Sequence, residues 1–116
     1  MTVKEFYDKI GGDYEDVLSR LMSEDLIKKF SVKYLNDPSF SSLSNALDSG
    51  NADEAFRAAH TLKCVCQNLG YTKLYSSAFD ITEALRDGSI PNDISPLFEA
   101  VRSDYDLVVD AIKRLD

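Results

Sequence analysis

Apolar residues recur every three or four positions along most of this chain, and this spacing restricts it to helical folds. Near the carboxyl end one such stripe consists of Phe98, Val101, Tyr105, Val108, Ile112 and Leu115. A second stripe, in the segment 73–87, consists of Leu74, Ala78, Ile81 and Leu85. Helices with a single apolar stripe pack side by side in bundles. The alternation of apolar and polar residues that marks a strand is not evident.

Turn and capping residues divide this pattern into segments. Glycine follows three periodic stretches, where a left-handed helix end favours it, at Gly50, Gly70 and Gly88. Capping-box spacing occurs in Thr2–Glu5 and Asn51–Glu54, and a cap residue before a first-position proline in Asp37–Pro38 and Ser95–Pro96. The predicted helices span about 3–10, 14–22, 24–36, 38–49, 52–69, 73–87 and 96–115. We therefore expect an all-α fold, an antiparallel up-down four-helix bundle with additional short N-terminal helices.

Length and charge narrow the class of function. The 116 residues suit a single domain over 1–116, and a complete bundle with a single site is compatible with a monomer. The net charge of −7 argues against binding nucleic acid, which requires clustered Lys and Arg, and against docking on an anionic membrane. No run approaches the roughly 18 apolar residues of a membrane span. The starting Met1 favours a free-standing protein over one module of a longer chain.

The two cysteines, Cys64 and Cys66, lie two positions apart on one predicted helix and point to different sides, so they cannot pair with each other. Free thiols favour a reducing compartment. The amino-terminal residues are charged throughout and contain no secretory apolar stretch. We therefore expect a cytoplasmic location.

The one histidine, His60, is predicted to face solvent. Its helix has a core stripe made of Ala55, Ala59, Leu62, Cys66 and Leu69. At about 100° per residue, His60 lies roughly 140° from the centre of this stripe. Lys63 and Gln67 lie on the same side as His60, and Cys64 follows it by one helical turn.

The residues around His60 resemble a known family. The segment Ala59–Gly70, AHTLKCVCQNLG, is similar to the signature of histidine phosphotransfer (HPt) domains, which reads His-x-Leu-Lys-Gly, then mostly small residues, an apolar residue and glycine. The matching positions are His60, Leu62, Lys63, Leu69 and Gly70. Cys64 stands where the family usually has glycine. Glycine at that position leaves space for the partner to approach the imidazole. The resemblance extends more loosely from about Ser23 to Gly88.

The resemblance implies a phosphorelay carrier. His60 would accept a phosphoryl group from a receiver-domain phospho-aspartate and transfer it reversibly to another receiver. The expected partners are response-regulator receiver domains and a hybrid histidine kinase. The sequence has no glycine-rich phosphate loop or Walker pattern. We therefore expect a phosphotransfer protein without its own ATP site, and not an enzyme. The Mg²⁺ that phosphoryl transfer needs would come from the partner receiver domain.

The resemblance and the helical angles together predict roles for residues near His60. Lys63 would place its ammonium near the phosphoryl oxygens. Support for the phosphate or for docking is expected from Gln67, Arg86 and Cys64. Three aromatic side chains lie about 90–130° from their core stripes, which favours an apolar docking patch made of Phe56, Tyr75 and Phe79. Alternatively, the N-terminal helices cover these rings.

Two other interpretations stay open. His60 and Cys64, spaced i and i+4, have the spacing of two metal ligands on a helix. A zinc site needs three or four protein ligands, however, so we expect no metal. The second alternative is an adaptor bundle that binds receiver domains without transferring phosphate, and Cys64 is the feature that favours it.

Overall fold

The computed structural model describes residues 1–115, and within this range the chain is helical without a strand. The helices are α1 (Val3–Ile10), α2 (Tyr14–Leu21), α3 (Glu24–Tyr34), α4 (Ser39–Asp48), α5 (Ala52–Leu69), α6 (Thr72–Ala84) and α7 (Ile94–Ile112). This confirms the all-α prediction, and the helix limits differ from those expected by at most about three residues. In residues 1–115 no helix is both long and apolar enough to cross a membrane.

The two predicted capping boxes form to different extents. At α1 the Glu5 amide donates to Thr2 Oγ1 at 3.1 Å, and the Thr2 amide donates to Glu5 Oε1 at 2.9 Å. At α5 the Glu54 amide donates to Asn51 Oδ1 at 3.1 Å, but the Asn51 amide donates to the Ala46 carbonyl. The carboxylate of Glu54 accepts instead from Arg57, so the second box is only half formed.

The expected position of two prolines was wrong. Helix α4 begins one residue after Pro38, and α7 begins at Ile94, which puts Pro96 at the third helical position rather than the first. Asp37 still acts near the start of α4, because its Oδ1 accepts from the Ser39 amide at 2.9 Å. The backbone N–H groups of the first helical turn have no partner inside the helix. Proline, which has no N–H group, is therefore tolerated at several positions of that turn.

The four C-terminal helices form the body of the bundle. Each packs against its neighbour in the chain, α4 on α5, α5 on α6 and α6 on α7. Phe40 of α4 stacks on two rings of α7, Phe98 at 5.6 Å and Tyr105 at 4.1 Å between ring centres. These contacts close the set of helices around an apolar core, as expected for a bundle. The up-and-down order of the four helices stays a prediction.

The three N-terminal helices lie against the end of the bundle where α5 stops. Gly70 ends α5 in the left-handed conformation, and its carbonyl accepts from the Asp13 amide at 2.9 Å. Arg20 of α2 donates to the carbonyls of Asn68 and Gln67 at 2.7 and 3.2 Å. These bonds satisfy carbonyl groups that have no partner inside the helix. A Cβ on Gly12 would lie 2.5 Å from a Tyr7 ring carbon, so this approach requires glycine.

Buried tyrosines join the N-terminal helices to the bundle. The Tyr71 hydroxyl donates to Ser31 Oγ at 2.7 Å, and the Tyr7 hydroxyl donates to the Leu69 carbonyl at 2.6 Å. Tyr34 packs edge-on against Tyr71 with 5.5 Å between ring centres. Burial raises the pKa of all three tyrosines above the ordinary value of about 10. The three tyrosines therefore join the N-terminal helices to the end of α5 as buried, uncharged side chains.

Candidate functional site

Helix α5 divides into a buried face and an exposed face. Its core side chains, each 0% exposed, are those of Ala55, Ala59, Leu62 and Cys66. His60 is exposed, as its angle from this stripe predicts. Leu69, predicted as the end of the stripe, is half-buried. The regular stripe therefore holds the helix in the bundle and leaves the imidazole on the surface.

The imidazole of His60 contacts the side chains one turn before and one turn after it. The ring of Phe56 lies 6.1 Å away between ring centres, at an interplanar angle of 21°. Cys64 Sγ lies 3.7 Å from His60 Nε2, a sulfur–nitrogen contact in which either atom can donate depending on the histidine tautomer. The position where the family signature has glycine is therefore in contact with the ring nitrogen.

Helix α6 and the turn after it bring further predicted residues to the same side. Lys63 Nζ lies 5.7 Å from the centre of the Phe79 ring, and the Arg86 guanidinium lies 5.5 Å from that of Phe56. Both distances are within the range of cation–π attraction. Phe79 is 41% exposed, and its ring centre lies 6.2 Å from that of half-buried Tyr75. The predicted aromatic patch therefore lies beside the histidine helix with at least one ring open to solvent.

Glu83 was not among the predicted site residues. Its Oε2 accepts from Arg86 Nε at 2.9 Å and its Oε1 accepts from Arg86 Nη2 at 3.0 Å, a two-bonded pair. The hydrogen bonds from Arg86 lower the pKa of the Glu83 carboxyl, and the charges of Arg86 and Lys63 lower it further. The i, i+3 spacing of Glu83 and Arg86 in the sequence was the signal that could have revealed this pair.

Other residues near the signature lie apart from the imidazole. Gln67 is exposed, but it lies seven positions after His60, about 10 Å along the helix axis. Its backbone carbonyl accepts from Arg20 of α2. Thr82 of α6 is fully buried, and its hydroxyl donates to the Ala78 carbonyl at 2.6 Å. Thr82 therefore faces the core and does not belong to the surface around His60.

The two cysteines occupy different environments, and both are free thiols as predicted. Cys64 is half-buried beside His60, whereas Cys66 is fully buried in the core. Burial raises the pKa of the Cys66 thiol to about 12. Within residues 1–115 no three side chains of His, Cys, Asp or Glu come together as a metal site.

Comparison with known families shows the family to which the chain belongs. The family model for the Hpt domain matches residues 36–115, a span that contains α4 to α7 and His60. The chain belongs to the Hpt domain family. This confirms the resemblance that the sequence indicated. No curated protein and no solved structure gave a match.

Membership of the Hpt family implies a phosphotransfer carrier in two-component signalling. Such domains interact with receiver domains and kinases in phosphorelays and act as carriers rather than as enzymes with their own ATP site. The match begins after α3, so α1, α2 and α3 lie before the matched span. In this Hpt chain His60 lies inside the matched span, and its surface includes Cys64 and the Glu83–Arg86 pair.

Proposed function

We propose that His60 accepts a phosphoryl group from a receiver-domain phospho-aspartate and transfers it reversibly to a second receiver. The observation that carries this proposal is the exposed imidazole on α5, with Lys63 one helical turn after it and Arg86 over the ring of Phe56, which stacks on His60. The imidazole offers a ring nitrogen with a lone pair that can act as a nucleophile. This is the nucleophile that attack on an activated acyl phosphate requires.

The transfer step exchanges one bond to phosphorus for another. The lone pair of His60 Nε2 attacks the phosphorus while the bond between phosphorus and the aspartate oxygen breaks. The aspartate leaves as a carboxylate with that electron pair, and the proton on Nδ1 stays on the ring. The reverse step restores the acyl phosphate. Because both phosphorylated forms are activated, neither direction needs ATP.

Lys63 and Arg86 supply positive charge near the transferred group. Phosphoryl transfer spreads charge over the three equatorial oxygens, so positioned cations stabilise its transition state. The cation–π contacts with Phe79 and Phe56 hold these two flexible side chains on the His60 side of the bundle. Gln67 and Cys64 are proposed as supporting residues, Gln67 toward the docked partner and Cys64 through its contact with Nε2.

The receiver would complete the site. We propose that it supplies the Mg²⁺ ion, whose chemistry is to neutralise the oxygens of the transferred group. This chain would bind as a monomer in the cytoplasm, where receivers and the hybrid histidine kinase would meet it. Its own contribution is to position the nucleophile and the two cations, which in phosphoryl transfer accounts for much of the catalysis.

The aromatic patch is proposed as the docking surface. Phe56 stacks on His60, and Phe79 lies near Tyr75 and under Lys63. Exposed apolar surface with charged neighbours favours an interface. Phe79→Asp should weaken receiver binding more than Phe79→Ala, because the carboxylate would be desolvated on docking. Titration calorimetry with a receiver checks this, and unchanged affinity of both folded variants would remove Phe79 from the interface.

A second candidate function is receiver binding without phosphoryl transfer. The contact between Cys64 Sγ and His60 Nε2 favours it, because the thiol occupies space that glycine would leave to the partner. Cys64→Gly separates the two functions. If the thiol obstructs transfer, this variant should gain transfer while keeping the affinity of the wild type for the receiver.

The experiment that tests the proposal follows a radiolabelled phosphoryl group from a phospho-receiver to this protein. The reaction contains Mg²⁺ and no ATP, and His60→Gln is run beside the wild type. Acid-labile, base-stable label on the wild type alone is expected. Absence of label on the folded wild type with every receiver of the source organism would contradict transfer and leave the adaptor.

A further inference from the structure

The cation that packs on the ring beside His60 already has a partner. Glu83 accepts two hydrogen bonds from Arg86, at 2.9 and 3.0 Å. Lys63 lies over Phe79, which precedes Glu83 by one helical turn. Arg86, which is expected to meet the phosphoryl group, therefore has a counter-ion in the unphosphorylated protein.

The Arg86–Glu83 pair lies one ring away from the imidazole, and its exposure leaves it open to rearrangement. The Arg86 guanidinium lies over the ring of Phe56, and that ring stacks on His60, so only one ring separates the cation from the histidine. The side chains of Arg86 and Glu83 are 54% and 42% exposed. Water can therefore replace either partner, and an exposed ion pair of this kind exchanges readily.

A phosphoryl group on His60 would compete with Glu83. A phosphate monoester carries up to two negative charges near neutral pH and offers three strong acceptor oxygens. The Glu83 carboxylate opposes it in two ways, by repelling its charge and by occupying the donors of Arg86. Both effects act only once the phosphoryl group is present, so they change the phosphorylated state more than the free one.

We propose that Glu83 is a positioning residue that competes with the phosphoryl group for Arg86, and that it thereby shortens the lifetime of phosphorylated His60. This inference rests on His60 being the phosphoacceptor.

The lifetime of the phosphohistidine tests this directly. Phosphoramidate phosphorylates histidine without a partner protein: the bond from phosphorus to its ammonia nitrogen breaks as the bond to the ring nitrogen forms. After the excess reagent is removed, ³¹P NMR follows the loss of the phosphoryl group to water. Glu83→Gln keeps the shape of the side chain and removes its charge. We expect the phosphoryl group to be lost roughly three- to tenfold more slowly in this variant.

Glu99→Gln is the matched control. Glu99 also pairs with an arginine three positions later, Arg102, at 3.6 Å, but on α7. The substitution changes the net charge by the same amount and should leave the lifetime unchanged. An equal change in both variants would overturn the proposal, because it would show an effect of net charge alone.

Two further measurements test whether Glu83 acts through Arg86. In the wild type the Arg86 Nε–H resonance should shift when His60 is phosphorylated, as the guanidinium leaves Glu83. In an Arg86→Ala background, Glu83→Gln should change the lifetime less than it does alone, which a double-mutant cycle measures. A resonance that does not move, or a shorter lifetime in Glu83→Gln, would overturn the inference. Since phosphoramidate needs no receiver, failed receiver transfer would count against the proposed function only.

Discussion

The two faces of α5 have opposite properties although their residues alternate along one helix. The inner face is fully buried from Ala55 to Cys66, and beyond it a layer of tyrosines joins the N-terminal helices to the bundle. The outer face bears His60, whose neighbours are held by ring and cation contacts at the surface. Buried packing contributes stability, whereas exposed contacts contribute little to it. Substitutions on the inner face should therefore lower the stability of the fold, whereas substitutions on the outer face should change phosphoryl transfer.

The largest expected effect is on the inner face. Leu62→Ala removes a fully buried side chain and should lower the free energy of unfolding by about 2–5 kcal/mol. His60→Gln, two positions earlier, should change it by less than about 0.5 kcal/mol. Urea denaturation of both variants checks the pair. A large loss of stability in His60→Gln would contradict the separation of the two faces.

The cysteines give the sharpest contrast within one helix. Cys64 is half-buried, while Cys66 is fully buried with its thiol pKa raised to about 12, so thiolate is scarce at neutral pH. Iodoacetamide should label Cys64 roughly a hundredfold faster than Cys66 in the folded protein. Mass spectrometry of peptides measures the ratio, with urea-unfolded protein as the control. Equal rates in the folded protein would show that the core around Cys66 opens readily.

Alkaline pH should weaken the inner face through its tyrosines. In the folded protein burial raises the pKa of Tyr71, whereas in the unfolded chain this group loses its proton near pH 10. Above pH 10 the unfolded state binds fewer protons, so stability falls by about 1.4 kcal/mol per pH unit for each such tyrosine.

Tyr71→Phe isolates one of these contributions. It loses the hydrogen bond to Ser31, which should cost about 1 kcal/mol at pH 7, but its stability should fall less steeply above pH 10. Thermal unfolding from pH 7 to 11 compares it with the wild type. Parallel curves would show that Tyr71 does not contribute to the alkaline loss.

The smallest expected effect is on the outer face. Lys63→Ala should slow phosphoryl transfer from a receiver roughly three- to tenfold without changing the urea midpoint, because the ammonium acts on the transferred group and not on the core. Lys113→Ala, an exposed lysine at the end of α7, is the control for charge. Similar rates for Lys63→Ala and the control would remove Lys63 from the site.

Helical spacing was sufficient to predict most of the fold, because the stripes of α5 and α6 are buried where the angles place them. The same angles predicted that His60 faces solvent. Helix ends were less predictable, since first-turn prolines and capping side chains admit several starting positions. Pro96 illustrates this, because its sequence fits the first helical position as well as the third.

The contacts between helices could not be predicted from periodicity. Angles on separate wheels do not give the rotation of α6 against α5, so the approach of Arg86 to Phe56 and of Lys63 to Phe79 required the structure. The i, i+3 pairing of Glu83 with Arg86 is local and could have been predicted, but the approach of this pair to Phe56 required the structure. The layer formed by Tyr71 and Ser31 joins residues 40 positions apart, which no local pattern reveals.

The most direct test of the account determines which atom carries the phosphoryl group after transfer from a receiver. Protein labelled with ¹⁵N in its histidine allows the coupling between phosphorus and the ring nitrogens to be measured by NMR. The account predicts coupling to Nε2 of His60, the nitrogen next to Cys64 Sγ. Coupling to Nδ1 instead, or a phosphoryl group on any other residue, would contradict it.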